Sequence, residues 1–240
     1  MALVDLNSDV GEAYGQWPGG PDELLVPHLT SVNVACGFHA GDPSTIRRTC
    51  ELAVAHGCVI GAQVSYPDLV GFGRRFIDME PSELADAVTY QIGALDAFAR
   101  SAGSEVRFVK PHGALYNAIV RRPDQADAVV AGMLAIGRPL PLLCLPNSSA
   151  SVAADSRGVR AVGEGFADRA YADDGSLVPR TQPGALLTDP AAAARAACRL
   201  VDQGVRSICV HSDTPGSPDI VRAVAAALQA AGHELRAFAT

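Results

Sequence analysis

The sequence predicts an α/β fold built on a mainly parallel sheet. Short apolar runs alternate with helical patterns from one end of the chain to the other. Several helical patterns open with Pro behind a capping Asp, as at Asp42-Pro43 and Asp189-Pro190, and several close on Gly, as at Gly57, Gly103, Gly204 and Gly232. Polar and titratable residues collect at the ends of the apolar runs, where parallel α/β proteins place their binding surface.

The strands read as Leu3–Leu6, Ser31–Ala35, Cys58–Gln63, Val106–Val109, Leu140–Leu145, Arg160–Val162, Ser207–His211 and Glu234–Phe238. Between them the helices read as Pro21–His28, Pro43–His56, Pro81–Ala102, Pro123–Ile136, Ser148–Asp155, Pro190–Gln203 and Ser217–Ala231. A closed or nearly closed (β/α) barrel and an open doubly wound sheet both satisfy this order. No linker or internal repeat divides the chain, so one domain over residues 1–240 is expected. The one long irregular stretch, Glu164–Asp189, is rich in Asp, Gly, Pro and Arg, the composition of a cover over a site or of a plain surface excursion.

Composition narrows the function. At 48% hydrophobic and 19% charged the chain is globular. A net charge of −7 with no block of like charge disfavours nucleic acid as a partner. Its apolar stretches are too short to span a bilayer, and the start Met1-Ala2-Leu3-Val4-Asp5 lacks the features of a secretory signal, so a cytoplasmic location is expected. The six cysteines form no CxxC pair and read as small buried hydrophobes; Cys36 stands apart because it lies beside other polar candidates, though burial is the expected reading there too. There is no GxxxxGK[ST], no GxSxG and no GxGxxG after a strand. A self-contained P-loop NTPase, serine hydrolase or Rossmann dehydrogenase is therefore disfavoured.

Lysine occurs once, at Lys110, while the other eighteen basic side chains are arginine. A compact ammonium offers what a planar guanidinium cannot. Lys110 ends an apolar run, and His112 shares its face of the extended chain. Other strand ends repeat the pattern. Asp5, Asn7 and Asp9 share one face, with Glu12 beyond; His39 follows the second strand; Gln63 ends the third; His211 and Asp213 lie two apart after the seventh. These groups are expected to converge on one site. Asp9, His39, His112 and His211 could hold a divalent metal, or the same groups could run metal-free acid–base chemistry with Lys110 stabilising an oxyanion. Spacing does not decide between the two.

The segments carrying these residues resemble the LamB/YcsF family. The matching runs are Asp5–Glu12, Asn33–Asp42, Gly61–Asp68, Gly71–Arg75, Tyr90–Leu95, Val109–Asn117, Phe166–Tyr171 and Asp174–Arg180, which cover nearly the whole chain in order. The resemblance implies an irregular seven-stranded (β/α) barrel of the glycoside hydrolase/deacetylase type. It also implies a subunit of a 5-oxoprolinase that consumes ATP to open 5-oxo-L-proline to L-glutamate with two partner subunits, B and C. On that basis Asp9 or His39 is the expected base and Lys110 and His112 the charge stabilisers. Asp5, Asn7, Glu12, Asn33, Gln63, Arg74, His211 and Asp213 are then expected around the substrate. The family usually has His-Pro where this chain has Gln63-Val64, and His-Gly-Asp where it has His211-Ser212-Asp213. Gln cannot titrate and is a poor metal ligand. A metal-dependent sugar deacetylase and a non-catalytic scaffold are the alternatives.

Overall fold

A computed structural model describes residues 1–172 and 175–239. Seven parallel strands close into a ring. In chain order they are β1 (Leu3–Val10), β2 (Ser31–Ala35), β3 (Val59–Val64), β4 (Val106–Pro111), β5 (Leu142–Cys144), β6 (Ala161–Phe166) and β7 (Ser207–Cys209). Each pairs with the next, and β1 pairs with both β2 and β7 to shut the barrel. A two-residue strand, β8 (Glu234–Leu235), pairs only with the start of β1. Closure settles the choice that the alternation left open between a barrel and an open sheet.

The helices are α1 (Asp22–Leu25), α2 (Pro43–Ala55), α3 (Pro81–Ser101), α4 (Gly113–Arg121), α5 (Pro123–Ala135), α6 (Ser149–Ser156), α7 (Pro190–Asp202) and α8 (Ser217–Ala230). The caps foreseen at Asp42 and Asp189 are present, each carboxylate accepting two backbone N–H bonds of the first turn. The stretch 21–28 is not one helix but α1 followed by a 3₁₀ turn, because Pro27 removes a backbone donor there. Helix α4 was not anticipated. Its preceding residue His112 makes no capping bond, and it opens on Gly113 at φ 58°, so the usual start signals are missing. Strand β1 runs four residues further than its apolar pattern, since Asn7 and Asp9 alternate inward. Strand β6 extends to Phe166, while β7 stops at Cys209.

The helix-facing sides of the strands, with Val4, Leu6, Val32, Val34, Ile60 and Ala62, form the main core. The barrel interior is layered differently. Its lower end is plugged by Phe108, Leu143, Val162 and Ala239. A register shift between Ile60 and Gly61 lets β4 carry one extra residue, which turns Phe108 and Lys110 inward. Gly61 makes room for that plug: a Cβ there would lie 2.2 Å from the Phe108 ring. Above the plug the interior is polar. Asp5 accepts bonds from Thr30, Ser31 and Ser207, and Asn33 donates to Asn7 and Asp9. Burying such groups is costly unless they are hydrogen-bonded, and this network supplies partners for the named groups except Asn33 Oδ1. No described helix is long and apolar enough to cross a membrane.

Candidate active site

At the carboxyl end of the barrel a cavity of about 720 Å³ opens to solvent. Asp9, Lys110, His112 and His211 line it, with Arg74, Arg169 and Arg180 around its rim. Strand geometry explains the convergence. Asp9 and Lys110 are the last residues but one of β1 and β4, and His211 lies just past β7. The irregular stretch after β6 contributes Arg169, Leu177, Pro179 and Arg180, so it does form part of the site wall. A neighbouring cavity of about 850 Å³ includes Glu164 and shares Arg169, but it holds none of the other titratable groups just named as wall residues. The sequence-predicted titratable residues thus gather at the first cavity.

Lys110 is buried at the floor. Its Nζ lies 3.0 Å from Asp9 Oδ1 and 2.9 Å from Glu164 Oε1, with Asn7 Oδ1 at 3.4 Å and Cys209 Sγ at 3.2 Å. Burial disfavours the ammonium, but Asp9, and after it Glu164, hold it well above its usual pKa. Burial likewise opposes the Asp9 charge, and Lys110 overrides it, holding Asp9 well below the carboxylate range. Glu164 is shifted the other way, raised chiefly by burial. Cys209 is pushed up by burial and is a thiol. Cys36 is buried too, its Sγ donating to Val34 O, as expected of a packing cysteine.

His211 forms a second unit. Its Nδ1 lies 3.0 Å from Asp168 Oδ1, while its own backbone N–H and the Thr214 hydroxyl donate to the same carboxylate. Asp168 is fully buried; burial opposes its charge, and His211 with these hydrogen bonds holds it below the usual range. An ionised carboxylate only accepts, so Nδ1 carries a proton and the outward Nε2 is left for a ligand.

The third unit stands behind His112. The Gln63 amide donates to Glu12 Oε1 at 2.9 Å and to His112 Nδ1 at 3.0 Å, and its oxygen accepts from His39 Nε2 at 3.1 Å. His112 Nε2 donates to Phe72 O at 3.0 Å. The His39 and His112 rings stack at 4.1 Å. Burial, then His112, hold His39 well below its usual pKa, so it is neutral. Burial raises Glu12 to about 7.

The structure therefore brings Asp9, Lys110, His112, His211 and Arg74 to one cavity wall. His39, Glu12 and Gln63 pack behind His112, and Asp5, Asn7 and Asn33 lie deeper in the barrel, so these six do not line the cavity. Asp213 sits at the rim, its carboxylate shared by Arg74 and Arg180. Sequence reasoning missed Glu164, Asp168, Tyr116, Arg169 and Arg180. Glu164 is the one with a readable signal: a carboxylate flanked by glycines just past an apolar run. The buried Nε of Arg169 has no hydrogen-bond partner, while its Nη2 donates to Val178 O; the residue lines both cavities.

Against known proteins, the LamB/YcsF family model matches residues 4–240. The chain belongs to the LamB/YcsF family. It is 52% identical to a protein from Kocuria rhizophila named as the A subunit of 5-oxoprolinase, with all of both chains covered. A crystal structure of a lactam utilization protein from Thermus thermophilus superposes with a TM-score of 0.93 at 43% identity, covering 98% of this chain and all of that one. A polysaccharide deacetylase from Bacillus cereus superposes with a TM-score of 0.53 at 12% identity, covering 99% of this chain and 92% of that one; that likeness concerns the fold alone. The Asp174–Arg180 run begins outside the described residues; its Leu177, Pro179 and Arg180 reach the cavity.

A deacetylase-like fold raises the question of a metal. Among the four residues anticipated as ligands, Asp9 is engaged by Lys110, and His211, although its Nε2 is free, is not part of a cluster of ligand atoms. Among the described residues, the group that clusters is Glu12, His39 and His112. The Gln63 amide already uses one ligand atom of each, so the site as built does not fit an ion.

Proposed function

We propose that this chain is the ring-opening subunit of a cytoplasmic, ATP-dependent 5-oxoprolinase, working with partner subunits B and C that activate the lactam. The observation that carries this reading is one cation-rimmed cavity whose wall holds the Asp168–His211 pair and the Lys110 ammonium. The names of the relatives point the same way.

The substrate is a small anion with a stable amide, and the site supplies a group for each need. Arg74, Arg169 and Arg180 surround the mouth, where a carboxylate or a phosphate enters. Phosphorylation of the amide oxygen, with ATP consumed by the partners, makes the ring carbon electrophilic. Water adds to that carbon, and its proton passes to His211 Nε2, oriented by Asp168. Asp9 was the base expected from the sequence, but Lys110 holds it too acidic for that task, and His39 lies behind the wall. Lys110 stabilises negative charge on the reacting oxygen, whereas His112, expected from the sequence to share that task, gives its Nε2–H to Phe72 and its Nδ1 lone pair to Gln63 and has no donor left for it. The carbon–nitrogen bond then breaks, the nitrogen takes the proton from His211, and a second water releases phosphate from the new carboxyl group.

The test is ATP-dependent release of glutamate from 5-oxo-L-proline, measured with this chain alone, the two partners alone and all three together. Turnover is expected only with all three. Full turnover without this chain, or by this chain alone, would refute the assignment.

A further inference from the structure

We infer that Gln63 stands in the position of a metal ion, closing a latent site for a divalent ion of the zinc class formed by Glu12, His39 and His112. Three observations carry this. First, the ligand atoms of the three residues lie within 4.8 Å of one another, and all three residues are buried. Tetrahedral zinc with bonds of roughly 2.0–2.1 Å holds its ligands roughly 3.4 Å apart, so a contraction of at most about 1.4 Å would bring the three to bonding distance and leave the fourth position for a further ligand.

Second, two of the three ligands are oriented from behind as metal ligands are, while the buried Nδ1 of His39 has no partner. His112 gives its Nε2–H to the backbone carbonyl of Phe72, which leaves the Nδ1 lone pair pointing into the cluster. Glu12 has Oε1 inside the cluster while Ser212 donates to its Oε2. Outer hydrogen bonds of this kind fix tautomer and ring orientation in metal sites.

Third, the object at the centre matches the cluster one bond at a time. The Gln63 amide nitrogen serves two acceptors and its oxygen serves one donor, at 2.9–3.1 Å. A neutral amide can satisfy both kinds of group in this way. It is a weak ligand for a borderline-soft cation, and its bulk excludes one. Position 63 is fixed by β3 pairing with both Ala35 and Lys110, so the amide cannot leave without moving the ring. Gln63 is thus a positioning residue that holds His112 at the cavity wall without a metal.

The full-length chain, free of any tag, would be equilibrated with Zn2+ or Co2+, passed through gel filtration and assayed for bound metal, visible cobalt absorption and melting temperature. Gln63→His should take up about one equivalent, show tetrahedral cobalt bands and melt higher with Zn2+. Gln63→Ala, which opens the space with three ligands and a water, is the second variant should the histidine variant fail to fold. Wild type should show none of these changes, and the double variant Gln63→His/His39→Ala should lose them. The inference is overturned if wild type retains an equivalent that His39→Ala removes, if folded Gln63 variants retain none, or if uptake survives the double variant.

Discussion

Replacing Lys110 by Met removes the cation that two buried carboxylates share. Asp9 and Glu164 both lie within 3.0 Å of Nζ, and all three side chains are shielded from solvent. Breaking a buried ion pair from one side costs roughly 3–5 kcal/mol, because the remaining charge stays buried without a partner. Two stranded carboxylates put this variant near the top of that range, about 5 kcal/mol. For a domain of this size each kcal/mol moves the melting temperature by about 2–4 °C, so a drop of roughly 10–20 °C is expected. The sign of the pH dependence follows from the same groups. Without Lys110 both carboxyls are raised above their unfolded values, so the folded state holds more protons and loses stability as pH rises. The penalty should therefore be smaller at pH 5 than at pH 7. Adding Glu164→Gln should recover part of it, since one of the two stranded charges is gone. Denaturant unfolding of the single and double variants, with the slope checked for two-state behaviour, measures all of this. A penalty below about 1 kcal/mol, or one that grows as pH falls, would refute the shared-cation account.

Lys110→Arg keeps the charge but not the shape; turnover of the complete complex should fall about 10²–10³-fold, and overpacking should cost about 1–3 kcal/mol, so near-normal turnover with an unchanged melting point would count against a fitted ammonium. Glu12, raised to about 7 from 4.5 by burial, binds its proton more tightly in the folded chain. Its contribution is complete below pH 4.5 and lost as pH rises through 7, by at most about 3 kcal/mol; Glu12→Gln should flatten stability across that window, and an unchanged profile would remove Glu12 as the cause. Asp168→Asn should lower turnover by about 10²–10⁴, the usual worth of an oriented general base, with the loss read from kcat in the three-subunit assay. Gly61→Ala pushes a methyl against Phe108 and should cost about 1–3 kcal/mol by denaturant melting, whereas neutrality would mean that the plug is loose.

Much of the fold was open to reading because each strand and helix announces itself locally. Asp42-Pro43 and Asp189-Pro190 start helices by capping chemistry that needs no tertiary partner. Asp5, Asn7 and Asp9 share a face by strand geometry alone, and that face does look into the barrel. What stayed hidden depends on distant partners. Closure of the ring rests on β1 bonding both β2 and β7, which no local pattern encodes. Helix α4 begins on a left-handed glycine that propensity would place in a turn. Polar strand ends were a sound guide to the neighbourhood of the site but not to its layers. Asp9 and Gln63 are both inward-facing strand-end residues, yet one meets the cavity and the other supports His112 from behind. Periodicity gives the direction of a side chain from its strand; its depth along the barrel axis is set by strand stagger, which only the register reveals. Glu164 shows the consequence. Placed two residues past its apolar run, it reads as the start of a loop, and its strand register instead seats it against the only lysine of the chain. The lone lysine was therefore a correct pointer to an unusual position, and the reason for it lies in two carboxylates that the barrel, not the local sequence, brings to its side.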